Sequence, residues 1–500
     1  MNKLRSEMTH YYTSLNATRI EANTAYQMRK NEVWRVMDDY DLANPGLSGG
    51  LLKARLHEEI AEKFEPVIFR HTPFFFEMGV RFSENWGTPH PYNIASWMQQ
   101  KRNHRHYATE EWQGIRSFCC DNQETPWKLW NIWNVVDTDH HCIAYTKLLT
   151  IGVEGIISEI QERKKAGGNE AQFAFLEAAE RSCKALLKVA ARFAEKAEDL
   201  LKSETDPAVI RNLQLIASAA RQVPARPPRN FHEGLAALLF LREATGSLES
   251  IGISVLGHVD RLLGDLLRQD LKSGALTEES AKDMLGRWML FTDVKFHIDA
   301  NEWPETSTCI ELGGCDEEGR PLFNEVTRLF IEAHQDYQLV NPKLNCRYGS
   351  ASPDAYVQLL AEHAATGHND FAFLNDDILI PACVRAGKTE REARLYVNGG
   401  CQETIVEGIE HSAGAYYYFN LARLFDLHLN HESMERNGTA GKVLAEPCGA
   451  ASNFEEYYTT FISSLSKAIG QGAEWLSVSG QGWAETNPCP LFSSGITGCL

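Results

Sequence analysis

Three short apolar segments, STCIELGG (307–314), PKLNCRYG (342–349) and FAFLNDDILI (371–380), stand among long amphipathic stretches, and each ends at or is interrupted by glycine or asparagine. They have the length of strands, and alternation with helices constrains the fold to a mixed α/β body, because each sheet face then needs helices to cover it. The helical pattern is clearest over 143–222, where AAERSCKALLKVAARFAEKAEDLLK repeats apolar residues at three- and four-residue intervals. A Thr-Asp-Pro signal restarts it at ETDPAVIRNLQLIASAARQV, and Pro224, Pro227 and Pro228 stop it. FHEGLAALLFLREATG and GHVDRLLGDLLRQDLKSGALTEESAKDMLGRWMLFTDV read as further helices, and so does AYYYFNLARLFDLHL (415–429). Residues 1–135 read as irregular and rich in aromatics, and no internal repeat or linker stands out.

Charge and cysteine usage narrow the class. With 67 acidic and 49 basic residues the chain carries a net charge of −18, which disfavours nucleic acid or an anionic membrane as partner and suits a soluble cytoplasmic protein. The start, MNKLRSEMTHYYTSLNATRIEANT, has no apolar signal core, and no apolar run approaches the roughly 18 residues of a membrane span. Twelve cysteines without a Cys-x-x-Cys pair argue against zinc ribbons and simple iron–sulfur sites and suit reduced thiols, so no metal site is expected.

The segment YVNGGCQETIVEG (396–408) carries the most specific chemistry. Two glycines free the backbone for a tight turn before Cys401, and Glu403 would face the same side as Cys401 if the segment were extended. DTDHHCIAY (137–145) puts His140 and His141 beside carboxylates, a route to acid–base work near neutral pH; capping of a helix start explains the same residues equally well. Asn375 and Asp376 in FLNDDILIP sit where a strand end can line a site, or where an ordinary Asx turn forms. HRH (104–106) and HLNH (428–431) read as surface features. Neither nucleotide-binding glycine fingerprint occurs, and a cysteine hydrolase using Cys401 with His140 or His141 remains open.

In order, the chain carries DHHCIAYTKLLTIGVEG, VPARPPRNFHEGLAALLFLREA, SLESIGISVLGHVDRLL, CIELGGCDEEGRPLFNEVT, NPKLNCRYGSASPD, FLNDDILIPACVRAGKTEREARLYVNGGCQE and YYYFNLAR. This succession resembles the glycyl radical enzymes of the pyruvate formate-lyase type, over a domain of residues 71–500. Residues 1–70 form a divergent N-terminal helical segment. The resemblance implies a helix-rich α/β fold, half of a ten-stranded barrel, with the Gly-Cys-x-Glu loop as a finger reaching its centre. It implies Cys401 as the thiyl-forming residue, Glu403 as acid/base and His140 beside the leaving group, with His141 a second candidate. Ser254, Tyr417 and Tyr418 match substrate-contacting positions of some members, and Ala415 replaces the aspartate of the diol dehydratases. The segment around Ser254 is one residue short and has His258 where an arginine is usual.

The family's radical glycine, in an Arg-Val-x-Gly-Tyr loop, has no counterpart in these residues. The expectation is therefore a fragment, a split enzyme whose glycyl-loop chain is separate, or an inactive remnant. The implied cofactor is a glycyl radical outside this chain, installed by an activase using S-adenosylmethionine and a [4Fe-4S] cluster, with none bound here. Implied partners are a small polar substrate, that activase and, as often in the family, a second copy in a homodimer. The expected reaction is elimination of a C–O, C–N or related bond in an anaerobic cell. An arylacetate-type decarboxylase and a non-catalytic scaffold are the alternatives.

Overall fold

The computed structural model describes residues 1–14, 24–78, 130–136, 140–249, 251–296, 308–367, 371–399, 402–410, 415–429, 434–435, 443–445, 451–486 and 488–492. They fall into two compact units: residues 1–95, 139–412 and 489–500 form the first, residues 96–138 and 413–488 the second.

In the first unit, α1 (Asn2–Ser14), α2 (Thr24–Ala43) and α3 (Gly49–Lys63) come first, so the reading of 1–135 as irregular is corrected over these spans. The reason lies in what α3 buries: Lys53 and His57 are wholly inside, and Lys53 Nζ donates to the backbone oxygen of Glu249 at 3.0 Å. Charged residues at buried positions erase the apolar period that marks a helix in sequence.

Next come α4 (Tyr145–Lys165), α5 (Glu170–Leu201), α6 (Pro207–Gln222) and α7 (Phe231–Glu249). Asn169 closes a capping box on α5, and Asp206 caps α6 ahead of Pro207, as the Thr-Asp-Pro signal implies. Helix α7 is buried on every side, so it serves as a central element rather than a covering layer.

Four strands follow: β2 (Val255–His258), β3 (Cys309–Gly313), β4 (Lys343–Tyr348) and β5 (Phe371–Asn375). They make one parallel sheet in the order β2-β3-β4-β5. Helices α8 (Val259–Ser273) and α9 (Glu278–Phe296), then α10 (Glu325–Asp336), then α11 (Asp354–Ala364) make the successive crossovers that parallel pairing requires. Strand β3 is buried throughout, and Glu311 on it pairs in register with Asn345 on β4, which puts the two side chains on one sheet face. After β5 come α12 (Asp376–Arg385), α13 (Glu390–Arg394) and an antiparallel hairpin, β6 (Tyr396–Asn398) with β7 (Thr404–Val406).

In the second unit, β1 (Trp130–Val136) pairs antiparallel with β8 (Ala415–Phe419), and α14 (Leu421–Leu429), the pair β9 (Met434–Glu435) and β10 (Val443–Ala445), and α15 (Phe454–Thr486) complete it. Residues 415–419 are thus strand, not the start of a helix; adjacent tyrosines suit a pleated ribbon as well as a helical face. His428 is a second correction: it is buried, its ring 5.3 Å from that of Tyr457 and 5.6 Å from that of Phe461, because it lies on the packed side of α14. HRH (104–106) and His431 lie outside the described residues.

Candidate active site

The β6–β7 hairpin carries the Gly-Cys-x-Glu turn. Asn398 pairs with Thr404 at its mouth, Gly399 N–H donates to the Glu403 oxygen at 2.8 Å, and Gln402 N–H donates to the Gly399 oxygen at 3.0 Å. Gln402 has φ 78, in the left-handed region. The segment is therefore a turn and not extended, so period-two alternation does not relate residue 401 to residue 403. Cys401 itself, with Gly400, lies outside the described residues.

Glu403 meets His140 here. Nδ1 of His140 and Oε1 of Glu403 are 3.1 Å apart across 263 residues of chain. The imidazole is buried (side chain 6% exposed), whereas the carboxylate is partly open (37%). The backbone of 140–141 is fixed by short antiparallel contacts to 252–255: His140 bridges Ile253, and Val255 N–H donates to the His141 oxygen at 3.3 Å. His140 does not cap the following helix, whose N-cap is Ala144, so the capping explanation fails for it. His141 packs its ring 5.0 Å from that of Phe492. Ser254 is buried beside the bridge, and its hydroxyl has no hydrogen-bond partner among the described residues.

A polar face of the sheet grips the stem of this hairpin. Glu311 Oε1 accepts from Asn398 N–H at 2.5 Å and from Asn345 Nδ2 at 2.9 Å. Asn345 Nδ2 and Cys309 Sγ both point to the Asn398 oxygen, at 3.1 and 3.0 Å. Arg347 Nη1 donates to the Tyr396 oxygen at 3.2 Å, and its guanidinium lies 4.0 Å from the Tyr396 ring centre. Burial pushes the Glu311 carboxyl up to about 8, against two hydrogen bonds that favour its ionised form, so desolvation wins.

Asn375 and Asp376 are committed within the fold. Asn375 caps α12, accepting from Asp377 N–H at 3.0 Å. Asp376 takes two hydrogen bonds from Arg347, at 3.0 Å each, and one from the Tyr396 hydroxyl at 2.6 Å. Tyr417 and Tyr418 lie on β8 in the second unit, with backbones paired to Ile132 and Asn131; their side chains lie outside the described residues. Residues that sequence reading missed are Glu311, Asn345 and Asn398, although a lone carboxylate inside the apolar run CIELGG was a usable signal.

An imidazole held against a carboxylate can move protons in either direction near neutral pH. Of the pair, Glu403 stands two residues from the cysteine in sequence.

Residues 101–500 match the family model described as pyruvate formate lyase-like. The chain is similar to the isethionate sulfite-lyase of Nitratidesulfovibrio vulgaris, 29% identical over 340 residues, 64% of this chain and 40% of that protein. It is also similar to the trans-4-hydroxy-L-proline dehydratase of Clostridioides difficile, 27% identical over 339 residues, 65% of this chain and 42% of that protein. The matched segments thus span about 40% of these curated relatives' length. A solved structure concerned with 1,2-propanediol dehydration in Roseburia inulinivorans superposes with TM-score 0.79 at 20% identity, over 100% of this chain and 66% of that one, which establishes the shared fold.

Proposed function

This chain belongs to the pyruvate formate lyase-like family, and from that premise we propose that it carries the substrate-activating residues of a glycyl radical lyase or dehydratase acting on a small polar molecule. The contact between His140 and Glu403 at the foot of the cysteine turn carries the reading. A radical-bearing glycine outside these residues, installed by an activase using S-adenosylmethionine and a [4Fe-4S] cluster, supplies the oxidising equivalent that converts the Cys401 thiol to a thiyl. Cys401 then takes a hydrogen atom from a substrate carbon, and its S–H later returns that atom to the product radical. Between these steps Glu403 accepts the proton of the substrate's remaining polar group. His140 gives a proton to the group that departs from the neighbouring carbon. General acid–base help of this kind is worth about 10²–10⁴-fold.

Both curated relatives carry names for small polar substrates, isethionate and trans-4-hydroxy-L-proline, which supports the substrate class. Ser254, and Tyr417 and Tyr418 by the family resemblance, are the proposed substrate contacts. Asn375 and Asp376 are left out, since their polar atoms are engaged in capping and in the Arg347 pair. Anaerobic activation of the native protein containing this chain should give a glycyl doublet in electron paramagnetic resonance. Cys401→Ala should keep the doublet and abolish turnover; turnover surviving that change would sink the reading.

A further inference from the structure

Helix α4 begins five residues after His140, yet its N-cap, Ala144, has no side chain able to receive the first free N–H groups. The missing acceptor arrives from the cysteine hairpin. Glu407, just past β7, places Oε1 2.7 Å from Thr146 N and 2.6 Å from Thr146 Oγ1, both donating. Its other oxygen, Oε2, accepts from Arg261 Nη2 of α8 at 2.9 Å, and the same nitrogen donates to Thr146 Oγ1 at 2.8 Å. The side chains of Glu407 and Arg261 are only 2% and 10% exposed, so water does not compete well for these bonds.

The segments 140–146 and 403–407 are therefore joined twice, at His140–Glu403 and at Thr146–Glu407. The first joint involves a partly open carboxylate, 37% exposed, on a turn. The second is buried, charge-assisted and tied to a third element, and it fixes the hairpin's base against the start of α4.

We propose that Glu407 is a positioning residue for the reaction: it caps α4 from the hairpin and thereby sets the register of Glu403 against His140. The inference rests on the glycyl radical reading of that pair. Misplacement by about 1 Å at a reacting centre costs on the order of a hundredfold in rate, so the effect belongs in kcat rather than in substrate affinity.

The test uses the native protein, activated anaerobically, with turnover expressed per glycyl radical counted by electron paramagnetic resonance. Glu407→Ala is expected to lower kcat by about ten- to a hundredfold, with KM within about twofold and a displaced pH profile. Glu407→Gln keeps an oxygen for Thr146 but loses both the charge and the acceptor opposite Arg261, so it should recover most of kcat while its Tm falls like that of the alanine variant. Should Glu407→Ala fail to fold, Thr146→Val removes the hydroxyl link alone and should still lower kcat several-fold, with Thr146→Ser restoring it. Parent kcat and pH profile in Glu407→Ala (or in Thr146→Val, where that is the variant in hand), or losses of kcat that track Tm equally in the alanine and glutamine variants, would overturn the proposal. A parent enzyme whose turnover does not require Cys401 overturns the glycyl radical reading instead, so the two failures are told apart.

Discussion

Gly399 and Glu403 close the cysteine turn upon each other: their backbones share a 2.8 Å hydrogen bond, and a Cβ placed on Gly399 would lie 2.7 Å from Glu403 Oε2 and 3.2 Å from His140 Cβ. A side chain at 399 would thus press on both Glu403 and His140. Gly399→Ala should displace the carboxylate from the imidazole and lower turnover by about a hundredfold, the scale expected for small misplacements at a reacting centre. Because the Glu403 side chain is already 37% exposed, Tm should stay near the parent value. Turnover at the parent level, measured per radical, would show that the pair tolerates the shift.

Glu311 predicts a pH dependence of stability. Its carboxyl is pushed up to about 8 in the folded protein, whereas an unfolded glutamate titrates near ~4.3. Below the lower value both states are protonated and the site is neutral in effect. Between the two, the unfolded chain releases a proton that the folded protein keeps, so stability falls as pH rises and levels off above about 8. Glu311→Gln, which retains the oxygen accepting from Asn398 and Asn345, should flatten that decline. Urea unfolding of both proteins from pH 5 to 9 gives the comparison, and parallel curves would mean that Glu311 is ionised when buried.

Asp376 separates a structural from a substrate role. Its partner Arg347 is wholly buried, and Asp376 receives both the guanidinium and the Tyr396 hydroxyl. Asp376→Asn leaves a buried cation without its counter-charge and should cost about 3–5 kcal/mol in denaturant unfolding. A variant of parent stability with a raised KM would instead restore Asp376 to the substrate site.

Ser254 should behave in the opposite way. Its buried hydroxyl has no partner among the described residues, a situation that costs roughly 1–3 kcal/mol in a folded protein. Ser254→Ala should therefore leave Tm unchanged or raise it, while KM rises several-fold if the hydroxyl meets substrate. A drop in Tm with unchanged KM would assign Ser254 to the fold alone.

What the sequence by itself determined is local in origin. Apolar runs of strand length between amphipathic helices specify α/β, since period and length act within a few residues. The Asp206–Pro207 start of α6 was legible for the same reason. The Gly-Gly-Cys-x-Glu stretch announced a tight turn, and ordered motifs pointed to His140 and Glu403 as members of one site. Only the tertiary structure decided how these parts are held. Glu311 belongs to β3 and grips Asn398, 87 residues later; Glu407 caps a helix that begins 262 residues before it. Arg347 commits Asp376 to the core, and a left-handed Gln402 turns a stretch that alternation would draw as extended. Contacts of this kind depend on which burial and which buried charge the folded chain brings together, and no local period records them.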